Sequence, residues 1–101
     1  MENIDLSKTE AMKPRWLGPE QFGLRLEITD VRNVSKDKSR LDLEMTVKAE
    51  NGNEYRFSLW GKNLVYMANN YGSIIPSWKG QFIQVLPEEV NGKTHRRIER
   101  I

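Results

Sequence analysis

Two alternating runs flank Asn51-Gly52, and the parity across that turn restricts the fold more than any other feature of the chain. Before it, Leu41, Leu43, Met45, Val47 and Ala49 alternate with Asp42, Glu44, Thr46 and Lys48; after it, Tyr55, Phe57 and Leu59 alternate with Arg56, Ser58 and Trp60. A period of two is that of a half-buried β-strand, and Asn-Gly between two such runs signals a hairpin. A two-residue loop would set Val47 opposite Arg56 and mix apolar with charged side chains on one face. A three-residue loop, Glu50-Asn51-Gly52 with Gly52 in the left-handed conformation, pairs Val47 with Tyr55, Met45 with Phe57 and Leu43 with Leu59. The outward pairs are then Lys48 with Glu54, Thr46 with Arg56, Glu44 with Ser58 and Asp42 with Trp60. Arg56 and Trp60 on one outer face, with a hydroxyl between them, suit a binding surface better than a purely solvated one.

The rest of the chain follows the same reading. Residues 1 to 20 form an arm in which Pro14, Gly18 and Pro19 break regular structure; Trp16 and Leu17 either dock on the domain or reach a ligand. Phe22, Leu24, Leu26 and Ile28 then alternate as a long first strand, whose parity slips at Val31 and Val34 as it does at a bulge or bend. Ser35 to Arg40 is a polar, mostly basic loop. After Gly61 the period becomes helical, with Leu64, Met67, Ala68 and Tyr71 on one stripe, Asn63 as the expected N-cap and Tyr71-Gly72 as the stop. Lys79 to Leu86 reads as a fourth strand and Lys93 to Ile101 as a fifth. Pro87 indicates a bulge or an edge position between them and leaves their register open. Arg96 and Arg97 are neighbours in a strand, so in any register at least one faces outward.

Strand, strand, strand, helix, strand, strand predicts an all-β domain with one short helix, a five-stranded Greek-key OB-fold barrel over residues 21–101; an SH3-like barrel is the alternative. A chain of 101 residues holds one modest core. It has no cysteine and one histidine, which excludes disulfides and cysteine zinc sites, and no cofactor is expected. No apolar run has the length of a signal peptide or a membrane span, so a soluble, cytoplasmic protein without a membrane partner is expected. The net charge of +2 is divided unevenly: residues 1–50 carry 9 basic and 10 acidic groups, and residues 51–101 carry 7 and 4. No phosphate-cradling loop, repeat or catalytic motif occurs, and His95 has no nucleophile or paired carboxylate at a recognisable spacing, so no enzymatic activity is expected.

Phe57-Ser58-Leu59-Trp60-Gly61-Lys62-Asn63, a short helical segment, and then Lys79-Gly80-Gln81-Phe82-Ile83-Gln84-Val85 resemble the OB domains of archaeal single-stranded DNA-binding proteins and of replication protein A. Those domains share Leu-Trp-Gly near the end of the third strand and a glycine that opens the fourth. The likeness spans residues 22 to 101 in element order, with Leu59-Trp60-Gly61 as its specific motif. It implies that Trp60 stacks on a base and makes Phe82 the fourth-strand aromatic candidate, with single-stranded DNA favoured over RNA. Arg56, Lys48 and Lys62, with the loop residues Lys36, Lys38 and Arg40, could follow the backbone of a bound strand beside Thr46 and Ser58, and Arg96 and Arg97 could add to it. Asp42 and Glu44 on the same face oppose a phosphate backbone. They favour the rival reading, in which Trp60 and Arg56 form a hot spot for a protein partner or a larger complex.

Overall fold

In the computed structural model, residues 14–36 and 41–101 are described. The elements are β1 (Arg15–Trp16), β2 (Leu26–Asn33), β3 (Leu43–Ala49), β4 (Glu54–Leu59), α1 (Gly61–Tyr71), β5 (Phe82–Val90) and β6 (Lys93–Arg100), with short 3-10 turns at Pro19–Gln21 and Ile75–Trp78. The six strands form one sheet in the order β1-β4-β3-β2-β5-β6, curled into a half-barrel. All its pairings are antiparallel except the parallel contact of β1 with β4. The fold is therefore mostly β, barrel-like, with a single α-helix.

The β3–β4 hairpin has the register that parity demands: Leu43, Met45 and Val47 lie opposite Leu59, Phe57 and Tyr55. The Ala49 amide donates to Asn53 O (2.9 Å) across a three-residue loop, and Gly52 takes a φ of +89°, where a side chain would be strained. The parity slip in β2 is a β-bulge. Ile28 faces Val47 but Asp30 faces Thr46, so Thr29 is the extra residue and Val31 returns to the inner face opposite Met45.

The inner face is continuous. Leu26, Ile28, Met45, Val47, Leu59, Ile83 and Val85 are fully buried, joined by Ile98, Phe57, Met67 of the helix, Trp78 and Leu17 of the arm. Each such aliphatic side chain contributes about 1.5–3 kcal/mol when taken from water. Trp78 lies in the core with its indole N–H donating to Gly72 O (2.9 Å), so its polar atom is satisfied.

Several expected boundaries move. The first strand starts at Leu26 instead of Phe22, because Pro19–Gln21 forms a 3-10 turn closed by a Gly18 amide bond to Gln21 Oε1 (2.7 Å), and Gly23 at a φ of +80° turns the chain. The fourth strand starts at Phe82, after a turn at Gly80, and runs through Pro87 to Val90. Pro87 is accommodated because β2 pairs with β5 only at Phe82 and Ile83, so beyond them the side of β5 away from β6 has no ladder to maintain. The turn between β5 and β6 is Asn91-Gly92, both at positive φ, the type I′ geometry that Asn-Gly favours. The helix begins at Gly61 with Trp60 as its N-cap, so Asn63 lies inside its first turn.

Asn63 has another use there. Its side-chain amide donates to Arg96 O (2.8 Å) and accepts from the Ile98 amide (3.1 Å), so it stands in for a neighbouring strand along β6. One turn on, the Tyr66 hydroxyl accepts the Arg100 amide (2.6 Å). The helix thereby covers the edge of β6, backbone groups that would otherwise be bare. It also holds β6 at a fixed distance from the end of β4, and a groove lies between them.

Candidate functional site

The groove encloses about 790 Å³, within the range of small-ligand sites. Its floor includes the buried Phe57 and Ile98. One wall is the end of β4 and the first turn of α1, with Ser58, Trp60, Lys62 and Asn63; the other is the β5–β6 hairpin, with Glu88, Thr94, His95, Arg96 and Arg97. Trp60 is extended (φ −157°, ψ 167°), so it continues the alternation of β4 and points outward with Ser58 before Gly61, at a φ of +58°, turns the chain into the helix. It is 55 % exposed, an unusual display for the largest apolar side chain in a small domain.

The cations around it differ in what they can do. Arg97 is engaged, with ion pairs to Glu99 (3.1 Å) and Glu88 (3.7 Å) that offset its charge. Lys62 and Arg96 are exposed and have no ion-pair partner among the described residues. The groove thus offers one exposed indole ring, two positive charges without an ion-pair partner among the described residues, and an apolar floor. No cluster of three His, Asp or Glu side chains able to hold a metal occurs among the described residues.

Arg56 has a different environment from the one its outward position suggests. It is only 6 % exposed: its Nε donates to Pro14 O (2.7 Å) and its guanidinium lies under the Trp16 ring, 4.3 Å from the centroid. The arm covers it because β1 pairs with the free edge of β4, setting Trp16 beside Arg56, while Leu17 enters the core and donates its amide to Arg56 O (2.8 Å). The guanidinium is a structural cation–π partner rather than an open phosphate contact.

Of the other expected site residues, Ser58, Trp60, Lys62, Arg96 and Arg97 meet in the groove, whereas Lys48, Thr46, Phe82 and Lys36 do not line it. Lys48 is exposed on β3 between Glu27 and Glu54 on the neighbouring strands. Thr46 is half-buried, its carbonyl accepting from the Thr29 hydroxyl (3.2 Å). Phe82 lies under the Arg25 guanidinium (4.0 Å to the ring centroid). Lys36 is exposed, and Lys38 and Arg40 fall outside the described residues.

The acidic opposition is weaker than sequence suggests. Glu44 is buried and accepts from Arg32 at 2.6 Å, so its charge is compensated. The β3–β4 ladder ends at Leu43–Leu59, one row short of Asp42 and Trp60. Asn63, Tyr66, Thr94 and His95 are groove residues that alternation could not assign, because they meet Trp60 only through the closure of α1 onto β6.

No protein-family model matches the chain, and no curated protein or solved structure matches it significantly. No helix among the described residues is long and apolar enough to cross a membrane.

Proposed function

We propose that this protein binds single-stranded nucleic acid, without catalysing a reaction, in the groove headed by Trp60. The observation that carries the reading is the exposed indole of Trp60 at the mouth of a groove where Lys62 and Arg96 supply positive charge without a carboxylate partner among the described residues. A single strand offers π-faces that a duplex hides, and each base–aromatic stack is worth about 1–3 kcal/mol. The two cations hold the sugar-phosphate backbone as it passes the ring. We read the half-barrel as an open OB-type barrel. Three antiparallel strands, a helix and a hairpin, with β2 shared between the two halves of the sheet, support that reading, as does the Leu59-Trp60-Gly61 motif. DNA is the favoured strand on the same likeness.

Titration of intrinsic tryptophan fluorescence with oligo-dT, oligo-U and duplex DNA at two salt concentrations tests this. Single strands quench, oligo-dT at least as strongly as oligo-U, with affinity falling as salt rises; duplex leaves the signal unchanged. Absence of quenching by any single strand refutes the reading and directs the search to a protein partner for the same groove.

A further inference from the structure

We propose that Trp16 is a second base-stacking platform, so that a bound strand runs along the outer face of β4 from the Trp60 groove to the arm. This rests on the single-strand reading above and extends it to a footprint. Three observations carry it. First, Trp16 is 48 % exposed although its ring lies against the Arg56 guanidinium. Second, the ring is held in place. Arg56 is fixed by its bond to Pro14 O, and the next residue, Leu17, is anchored in the core. A rigid aromatic surface presented to water meets a base with little loss of side-chain entropy. Third, Trp16 is the register partner of Arg56, which shares outward parity on β4 with Ser58 and Trp60.

The spacing follows from the backbone. Four extended residues at about 3.3 Å each and one strand spacing of about 4.8 Å separate Trp60 from Trp16 by roughly 14 Å. That is about four nucleotides at the ~3.4 Å stacking rise, and fewer on a stretched backbone. Both rings therefore fall inside the footprint of one OB domain, about 4–16 nucleotides. Between them lies Ser58, beside the Glu44–Arg32 ion pair, so no uncompensated carboxylate of that row interrupts the path. Glu20 and Glu54 flank the arm, which makes Trp16 a stacking contact and leaves phosphate attraction to the groove.

The test compares a trinucleotide and an octanucleotide of thymidine against the full chain and three variants. Trp16→Leu keeps an apolar cover over Arg56 but removes the π-face; it leaves trinucleotide affinity unchanged and lowers octanucleotide affinity about five- to a hundredfold, the range of one stack. Trp16→Phe restores most of that loss, whereas Trp60→Leu weakens both oligonucleotides. Octanucleotide binding at full strength by Trp16→Leu, with Trp60→Leu impaired, overturns the second platform and leaves the groove reading intact. Equal weakening of both lengths by Trp16→Leu also overturns it, since the arm then acts through the fold. Failure of the unaltered chain to bind either length refutes both proposals. If Trp16→Leu does not fold, the fluorescence of Trp60→Phe decides: with Trp78 buried, Trp16 is the exposed reporter, and quenching by the octanucleotide but not the trinucleotide is required.

Discussion

Replacing Trp60 with alanine removes the ring on which the functional reading depends and leaves most of the fold alone. The side chain is more than half exposed and makes no capping bond to the helix that it precedes. The deletion therefore belongs with surface substitutions, costing about 1 kcal/mol of stability or less. The binding cost is larger. One lost base–aromatic stack is worth about 1–3 kcal/mol, a fall in affinity of roughly five- to a hundredfold. Because the substitution also removes one of the three intrinsic tryptophan reporters, the assay is fluorescence anisotropy of a labelled oligo-dT, with thermal melting by circular dichroism on the same samples. The expected outcome is weaker binding with a melting temperature within a few degrees of the unaltered protein. Unchanged affinity would refute the stacking argument, and a collapse of the melting transition would show that Trp60 is part of the structural core.

Three further outcomes follow from the geometry. Arg96→Ala should reduce the slope of log K against log salt by about 0.7 if it meets one phosphate, the single-strand value, and the measurement is a titration series from low to high salt. Asn63→Ala deletes two of the bonds that bind α1 to β6 and leaves the Ile98 amide without its acceptor, a loss of about 1–3 kcal/mol; melting shifts downward and hydrogen exchange at Ile98 accelerates. Burial, reinforced by Tyr66 and opposed by Arg100, raises the Tyr71 phenol above its usual 10.0, and its hydroxyl donates to Phe82 O at 2.6 Å. The folded state thus holds the proton that the unfolded chain releases near pH 10. The stability from Tyr71 is intact below that pH and lost as pH rises through the folded value. Urea midpoints between pH 8 and 11 should fall more steeply for the unaltered protein than for Tyr71→Phe.

What the sequence discloses about this fold depends on whether a local signal sets the geometry. Around Asn51-Gly52 it does: one face of both runs is apolar, a shift of one residue would bury Arg56 among Val47 and Met45, and the register follows. The bulge at Thr29 is legible for the same reason, as a change of parity. Asn91-Gly92 carries an equally local signal, and a two-residue type I′ turn there sets Val85 opposite Ile98 and Leu86 opposite Arg97. Pro87 obscures it, because a proline looks incompatible with a strand until the neighbouring strand is known to have ended. The covering of Arg56 depends on an arm 40 residues distant in sequence finding the free edge of β4, a contact no periodicity encodes. The candidate site divides in the same way. Trp60 and Lys62 are readable from the end of a strand, whereas their juxtaposition with Arg96 and His95 arises only when Asn63 ties the helix to β6.

The central claim is that a single strand lies against Trp60 in the groove between β4, α1 and β6. Its most direct test is a map of backbone and indole NMR shifts on addition of oligo-dT. The account predicts that the Trp60 indole and the amides of Lys62, Asn63 and residues 94–97 move together and saturably, while Val65 and Asn69 on the exposed side of the helix stay still. Shifts confined to that side of the helix, or no shifts at saturating oligonucleotide, would contradict it.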